Sequence, residues 1–310
     1  MTSFAKLSRK GTIAFSLAAM LVTACGNHGD SGPKPATRSM TAPQTEFTNW
    51  PPQVDQFRFH WSAAPSIDLG TGPSVALRAY VESYVLVQIS GVETATYPGF
   101  DRATPANVGS PGNPDPLFQL VDVRPSPPTS NVEHEDNRRV AGYQPTHVLS
   151  LEPHGASYRA TVCLGLYSVY RTVGDTQDRY VSALADPATG RAMYTGSGKA
   201  REGGVDVWVV ELTNRGPQVA VESPAPDGPQ IGTRPAPMGD VFGNWSITGR
   251  SSGVWGTIES TEDVVTPEIH KQCAAAMPDD AATREAMANG FHQKPPPHGD
   301  AIPGWPATVK

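Results

Sequence analysis

A mixed α+β fold, with an antiparallel sheet packed on an N-terminal helix and further helices near the C-terminus, is what this 310-residue chain predicts from three patterns. Residues 74–90 place Leu77, Tyr80, Val81, Tyr84 and Val87 at three- and four-residue steps, the period of one helix face. Residues 147–152, 158–171 and 205–213 then form successive strand patterns separated by polar turns. Thr266-Pro267-Glu268 opens the C-terminal part with a capping hydroxyl, a proline at the first helical position and an early acid. A helix followed by consecutive strands, without strand–helix alternation, selects an antiparallel sheet.

Taken in order, the elements each have a local reason. Order is expected to begin near Phe47-Thr48-Asn49-Trp50, and Gln56-Phe57-Arg58-Phe59-His60-Trp61 alternates polar and aromatic side chains as a strand does. The helix over 74–90 lies between Gly72-Pro73 and Gly91, a glycine suited to its C-terminal cap. Arg78 and Glu82, four residues apart, are read onto another face. Residues 97–146 are rich in Pro, Gly and Asn, with a short strand expected at 117–123 and a fully polar stretch at 133–139. In 158–171, Ala160, Val162, Leu164, Leu166 and Ser168 share one face, and Thr161, Cys163, Gly165, Tyr167 and Val169 the other. Few charges on either face place that strand in mid-sheet. Residues 244–248 and 254–259 are expected to pair as a hairpin across 249–253. Met277-Pro278 ends the helix begun at Thr266, Asp279 or Asp280 caps another, and Gly290 closes it. The last stretch, 295–310, carries five prolines and is extended, with Ile302 and Trp305 as its contacts to the domain.

Composition narrows the classes. There are 31 Pro and 30 Gly, 38% apolar and 17% charged residues, which implies many irregular connections around a modest core. The formal net charge is −6 and no basic block occurs, so nucleic acid is not an expected partner. Arg outnumbers Lys 17 to 7 in an Ala- and Pro-rich chain, a composition that resembles high-GC actinobacteria, mycobacteria among them.

The first 25 residues carry an address. Lys6, Arg9 and Lys10 precede an apolar run at 11–24, too short to span a bilayer stably, and Val22-Thr23-Ala24-Cys25 ends it. This order resembles the signal peptide and lipobox of bacterial lipoproteins. The resemblance implies cleavage before Cys25, a diacylglycerol on its sulfur, and a lipid anchor on the extracytoplasmic face of the cell membrane. Residues 25–46, small and polar, then read as a flexible tether. A single α+β domain over 47–294 follows, then the Pro-rich tail. With Cys25 acylated, Cys163 and Cys273 remain as an even pair in an oxidising compartment, where a disulfide is the default and two separate buried thiols the alternative. The element order over 74–259 also resembles nuclear-transport-factor-2-like domains, which implies a sheet wrapped around the helix.

Candidate chemistry is sparse. Gly249-Arg250-Ser251-Ser252-Gly253 has the Gly-x-Ser-x-Gly form of a hydrolase nucleophile elbow, and Asp263 and His270 follow in serine–acid–histidine order. The elbow needs a helix after the serine, however, and Val254-Trp255-Gly256-Thr257-Ile258 is strand-like. A Ser- and Gly-rich turn explains the same residues. His134 among Glu133, Glu135 and Asp136 reads as a solvated loop, and Gly196-Ser197-Gly198-Lys199-Ala200 lacks the first glycine and the hydroxyl of a phosphate loop. Tyr158, Tyr167, Tyr170, Trp208, Trp245 and Trp255 lie on expected strands, where core packing is the plain reading and a ligand pocket the alternative. The sequence therefore points to a non-enzymatic envelope lipoprotein presenting a binding or scaffolding domain, with no cofactor and no metal. Beyond membrane lipid on Cys25, its expected partner is an envelope protein or an apolar ligand. The alternatives are a serine hydrolase using Ser251, Asp263 and His270, and an apolar-ligand carrier.

Overall fold

A computed structural model describes residues 50–109, 116–126, 138–174, 178–193, 202–215 and 228–307. Cys25 with its signal segment, the tether, Phe47, His134 and the 196–200 segment lie outside the described residues. The chain enters with strand β1 (Gln56–Ala63), helix α1 (Pro73–Ser90) and two single turns, α2 (Phe100–Ala103) and α3 (Phe118–Val121). Strands β2 (Val140–His154), β3 (Ser157–Gly165), β4 (Val169–Val173), β5 (Arg179–Ser182), β6 (Val205–Thr213) and β7 (Ser246–Ser251) follow. A small hairpin, β8 (Val254–Gly256) and β9 (Thr261–Asp263), leads to α4 (Pro267–Ala276) and α5 (Ala281–Ala288). The main sheet has seven strands in the order β5-β4-β2-β3-β6-β7, with β1 also on β2, and curls into a half-barrel. The α+β class with an N-terminal helix and C-terminal helices is therefore observed. Every pairing in it is antiparallel except β1 on β2.

Helix α1 packs into the concave face. It is buried from Ser74 through Val87 on all sides, the condition of a central helix. Gly91 caps it with a left-handed backbone, its N–H bonding Val87 O. Phe57, Phe59, Trp61, Val162, Leu164, Trp208, Val210 and Leu212 close around it from the sheet. The opposite faces of the central strands are also covered, since Cys163, Val207 and Val209 pack with Cys273 and Met277 of the α4 region. Strand β3 thus lies in mid-sheet, buried on both sides, as its lack of charge predicts. The Thr266 hydroxyl caps α4 by accepting from Ile269 N, and Asp280 caps α5 by accepting from Thr283 N at 2.7 Å. Cys163 and Cys273 are joined, Cα atoms 5.2 Å apart, tying β3 to α4 across 110 residues. No described helix is long and apolar enough to cross a membrane.

Several local expectations are corrected. The strand expected over 158–171 is interrupted at residues 166–168, and β2 starts at Val140, seven residues before its expected start. The early start comes from pairing of residues 140–142 with β4 and of 141–148 with β1, and the interruption is accommodated at Gly142. Gly142 has φ +93° and a Cβ there would lie 2.2 Å from Ser168 O, so only glycine lets the 166–168 loop seat against β2. Ser168 Oγ then donates to Tyr143 O. Residues 118–121 form a helical turn where a strand was expected. The hairpin expected across 249–253 does not form: β7 pairs with β6, and β8 turns away to pair with β9. Burial of Trp255 in the outer cluster accounts for that departure. In the tail, Trp305 is buried but the Ile302 side chain is 52% exposed. Ile302 contributes only backbone, its N–H bonding Phe59 O at 3.0 Å along the edge of β1.

Candidate functional site

Ser251 ends β7, and its hydroxyl is used within its own turn. It donates to Val254 O at 2.6 Å and accepts from Gly253 N at 3.1 Å. Asp263 accepts from Val265 N two residues on, and His270 is buried on α4. Among the described residues no hydrogen bond joins any two of the three. The turn after Ser251 leads into strand β8, so the strand-to-helix geometry of a nucleophile elbow is not present. Without a base in contact the hydroxyl keeps its ordinary weak nucleophilicity. Fluorophosphonate probes should therefore leave Ser251 unlabelled; labelling that disappears in His270→Ala would reinstate the hydrolase.

The aromatic residues nominated for a pocket do not converge. Trp208 faces α1, meeting Tyr84 edge-on with ring centres 4.9 Å apart, while Tyr167 and Trp255 belong to the outer cluster. Tyr158 pairs with Trp245, and Tyr170 with His292. Arg250, the second residue of the serine motif, lies over Trp208 and Tyr84 at 3.9 and 4.4 Å and donates to the Tyr84 hydroxyl. Its guanidinium is thus part of the packing around α1.

A dense polar constellation among the described residues centres on the pair that the sequence sets on a second face of α1. Arg78 and Glu82 point into the core, 0% and 1% exposed, because α1 has no solvent face along this stretch. Trp61 and Trp305 donate their indole N–H groups to the Glu82 carboxylate at 2.7 Å each, and the Tyr97 hydroxyl donates at 2.8 Å. Arg78 Nε lies 4.0 Å away. The Arg78 guanidinium donates to Gln230 O at 3.0 Å and Pro303 O at 2.8 Å and lies 4.2 Å from the Trp305 ring centre. Burial raises the Glu82 pKa above the usual carboxylate range, with Arg78 and the three donors opposing it. Burial also lowers that of Arg78, against the pull of Glu82. The only sequence signal for this centre is a charged pair set in a run whose other turns are apolar all round. Its geometry joins β1, α1, the 230 segment and the tail, and its groups, Arg78 Nε apart, are hydrogen-bonded.

A surface cleft of about 680 Å³ lies between residues 93–102 and 124–125. Its two cations are already paired. Arg102 meets Asp240 at 2.7 Å, and Arg124 meets Asp101 at 3.2 Å while donating to Thr104 O and Asp101 O. Gly99 (φ +87°) shapes the rim, since a Cβ there would collide with the Asp240 carboxylate. Thr94, Thr96, Tyr97, Pro98, Phe100 and Pro125 supply the rest of the wall, together with the carboxylate of Glu93. Both arginines are ion-paired and Glu93 adds a further carboxylate, which makes a recess suited to a mixed polar surface, with no nucleophile–base pair among its lining residues. Among the described residues no three His, Cys, Asp or Glu side chains gather as a metal site. No protein-family model, curated protein or solved structure matches the chain.

Proposed function

We propose that this protein is a membrane-anchored envelope lipoprotein whose α+β domain works by binding or scaffolding outside the membrane. The observation that carries the reading is the placement of its three cysteines. Cys25 directly follows Val22-Thr23-Ala24 at the end of a short apolar run with Lys6, Arg9 and Lys10 before it. The other two, Cys163 and Cys273, are bonded to each other, an arrangement typical of oxidising compartments. The self-contained hydrogen bonding of Ser251 and the ion-paired arginines of the 93–102 cleft support recognition over hydrolysis. The cleft is the surface we assign to that recognition.

Anchoring is tested with Cys25→Ala in the native host. Each buried methylene of an acyl chain contributes about 0.8 kcal/mol, so two chains on one cysteine hold a protein stably at the membrane. The variant should lose acyl labelling and move from the detergent phase to the aqueous phase. If it partitions with membranes as the unaltered protein does, the lipoprotein assignment is wrong.

A further inference from the structure

We infer that the concave face of the sheet holds bound water between Gln144 and Thr146. Both side chains project from β2 to the α1 side, where Gln144 is opposite Phe59 and Thr146 is opposite Trp61 and Leu164. They are 0% and 1% exposed. Neither the Gln144 amide nitrogen, nor its oxygen, nor the Thr146 hydroxyl has a hydrogen-bond partner among the described residues. Folded proteins leave only a few such atoms per hundred residues, and three within two residues of one strand call for a partner. The two side chains stand on the same face about 6–7 Å apart along the strand, a gap that water bridges.

The chemistry selects water over other guests. Phe57, Phe59, Leu164 and Val169 pack around this part of β2, and a close-packed apolar shell admits only a small molecule. The Glu82 carboxylate is taken by Trp61, Tyr97 and Trp305, so an amide oxygen and a hydroxyl alone face the site and a metal ion would lack charged ligands. Water needs two to four polar partners, which the two side chains supply. Strand pairing is also interrupted here: β2 meets Val169 at Gly142 and Leu164 at Thr146, with the 166–168 loop between.

The test combines a crystal structure showing ordered solvent with three variants, Gln144→Met, Thr146→Val and the pair together. Density is expected within hydrogen-bond distance of both side chains. Each single variant strands the remaining polar group and should lower Tm by about 2–4 °C. The double variant dries the site and should recover most of that loss. Additive shifts of either sign, or density that shows Gln144 bonded to a protein group instead, would overturn the inference.

Discussion

Glu82→Ala should cost about 3–5 kcal/mol of folding stability, the usual consequence of removing one partner from a buried ionic cluster. The size follows from what remains. Two indole N–H groups lose their acceptor, the Tyr97 hydroxyl keeps only its longer bond to Pro235 O at 3.3 Å, and the Arg78 charge stays in the core without its carboxylate. Glu82→Gln should lose less, because one oxygen still accepts while the amide nitrogen opposes the donors. Trp305→Ala should fall in the range of other buried aromatic truncations, about 3–5 kcal/mol. It removes a donor to Glu82 and the ring stacked on Arg78. Because both changes strike one network, their combined effect should fall short of the sum. Urea unfolding read as a change in midpoint at constant slope measures all of these. A Glu82→Ala protein within about 1 kcal/mol of wild type, the scale of an ordinary substitution, would show that the cluster is not a stability centre.

The joint replacement of Cys163 and Cys273 by alanine should be the second large loss. A covalent link across 110 residues restricts the unfolded chain, and the chain-entropy model assigns about 4–5 kcal/mol to a loop near this length. Measured losses usually fall below that figure, because the reduced unfolded chain keeps some structure. Both cysteines are fully buried between β3, β6 and α4, so the outer layer loses packing as well as its tether. The expected signature is a lower urea midpoint, with early loosening of α4 seen as faster amide exchange in residues 268–276. An unchanged midpoint in the double variant would remove the disulfide from the account of stability.

Much of the architecture was legible because its causes are local. The three- and four-residue spacing from Leu77 to Val87 marked α1, and Gly91 marked its end. Thr266, Pro267 and Asp280 marked the starts of the C-terminal helices through capping groups within four residues of the bonds they make. Alternation marked β1, and scarce charge placed β3 in the middle of the sheet. The pairing of Cys163 with Cys273 came from counting thiols. The polar centre was not legible in the same way. Arg78 and Glu82 have the spacing of an exposed ion pair, and nothing within a few residues says that Trp61, Tyr97 and Trp305 will converge on them. Nor does Gln144, between Tyr143 and Pro145, announce a strand in the core.

The chain by itself determined where its three longer helices, α1, α4 and α5, and most of its strands form, because propensity, caps and periodicity act over one or two turns. It also carries the cysteine motif on which the proposed anchor rests. Tertiary structure decided which strand edges meet, as in the parallel pairing of β1 with β2 and the separation of β8 from β7. It also decided that a charged pair and the tail's Trp305 belong to the interior. A strand edge offers the same N–H and C=O groups to any partner, and a charge is buried only where distant segments supply its hydrogen bonds. Both outcomes depend on groups far away in sequence, and so they are settled only when the chain closes on itself.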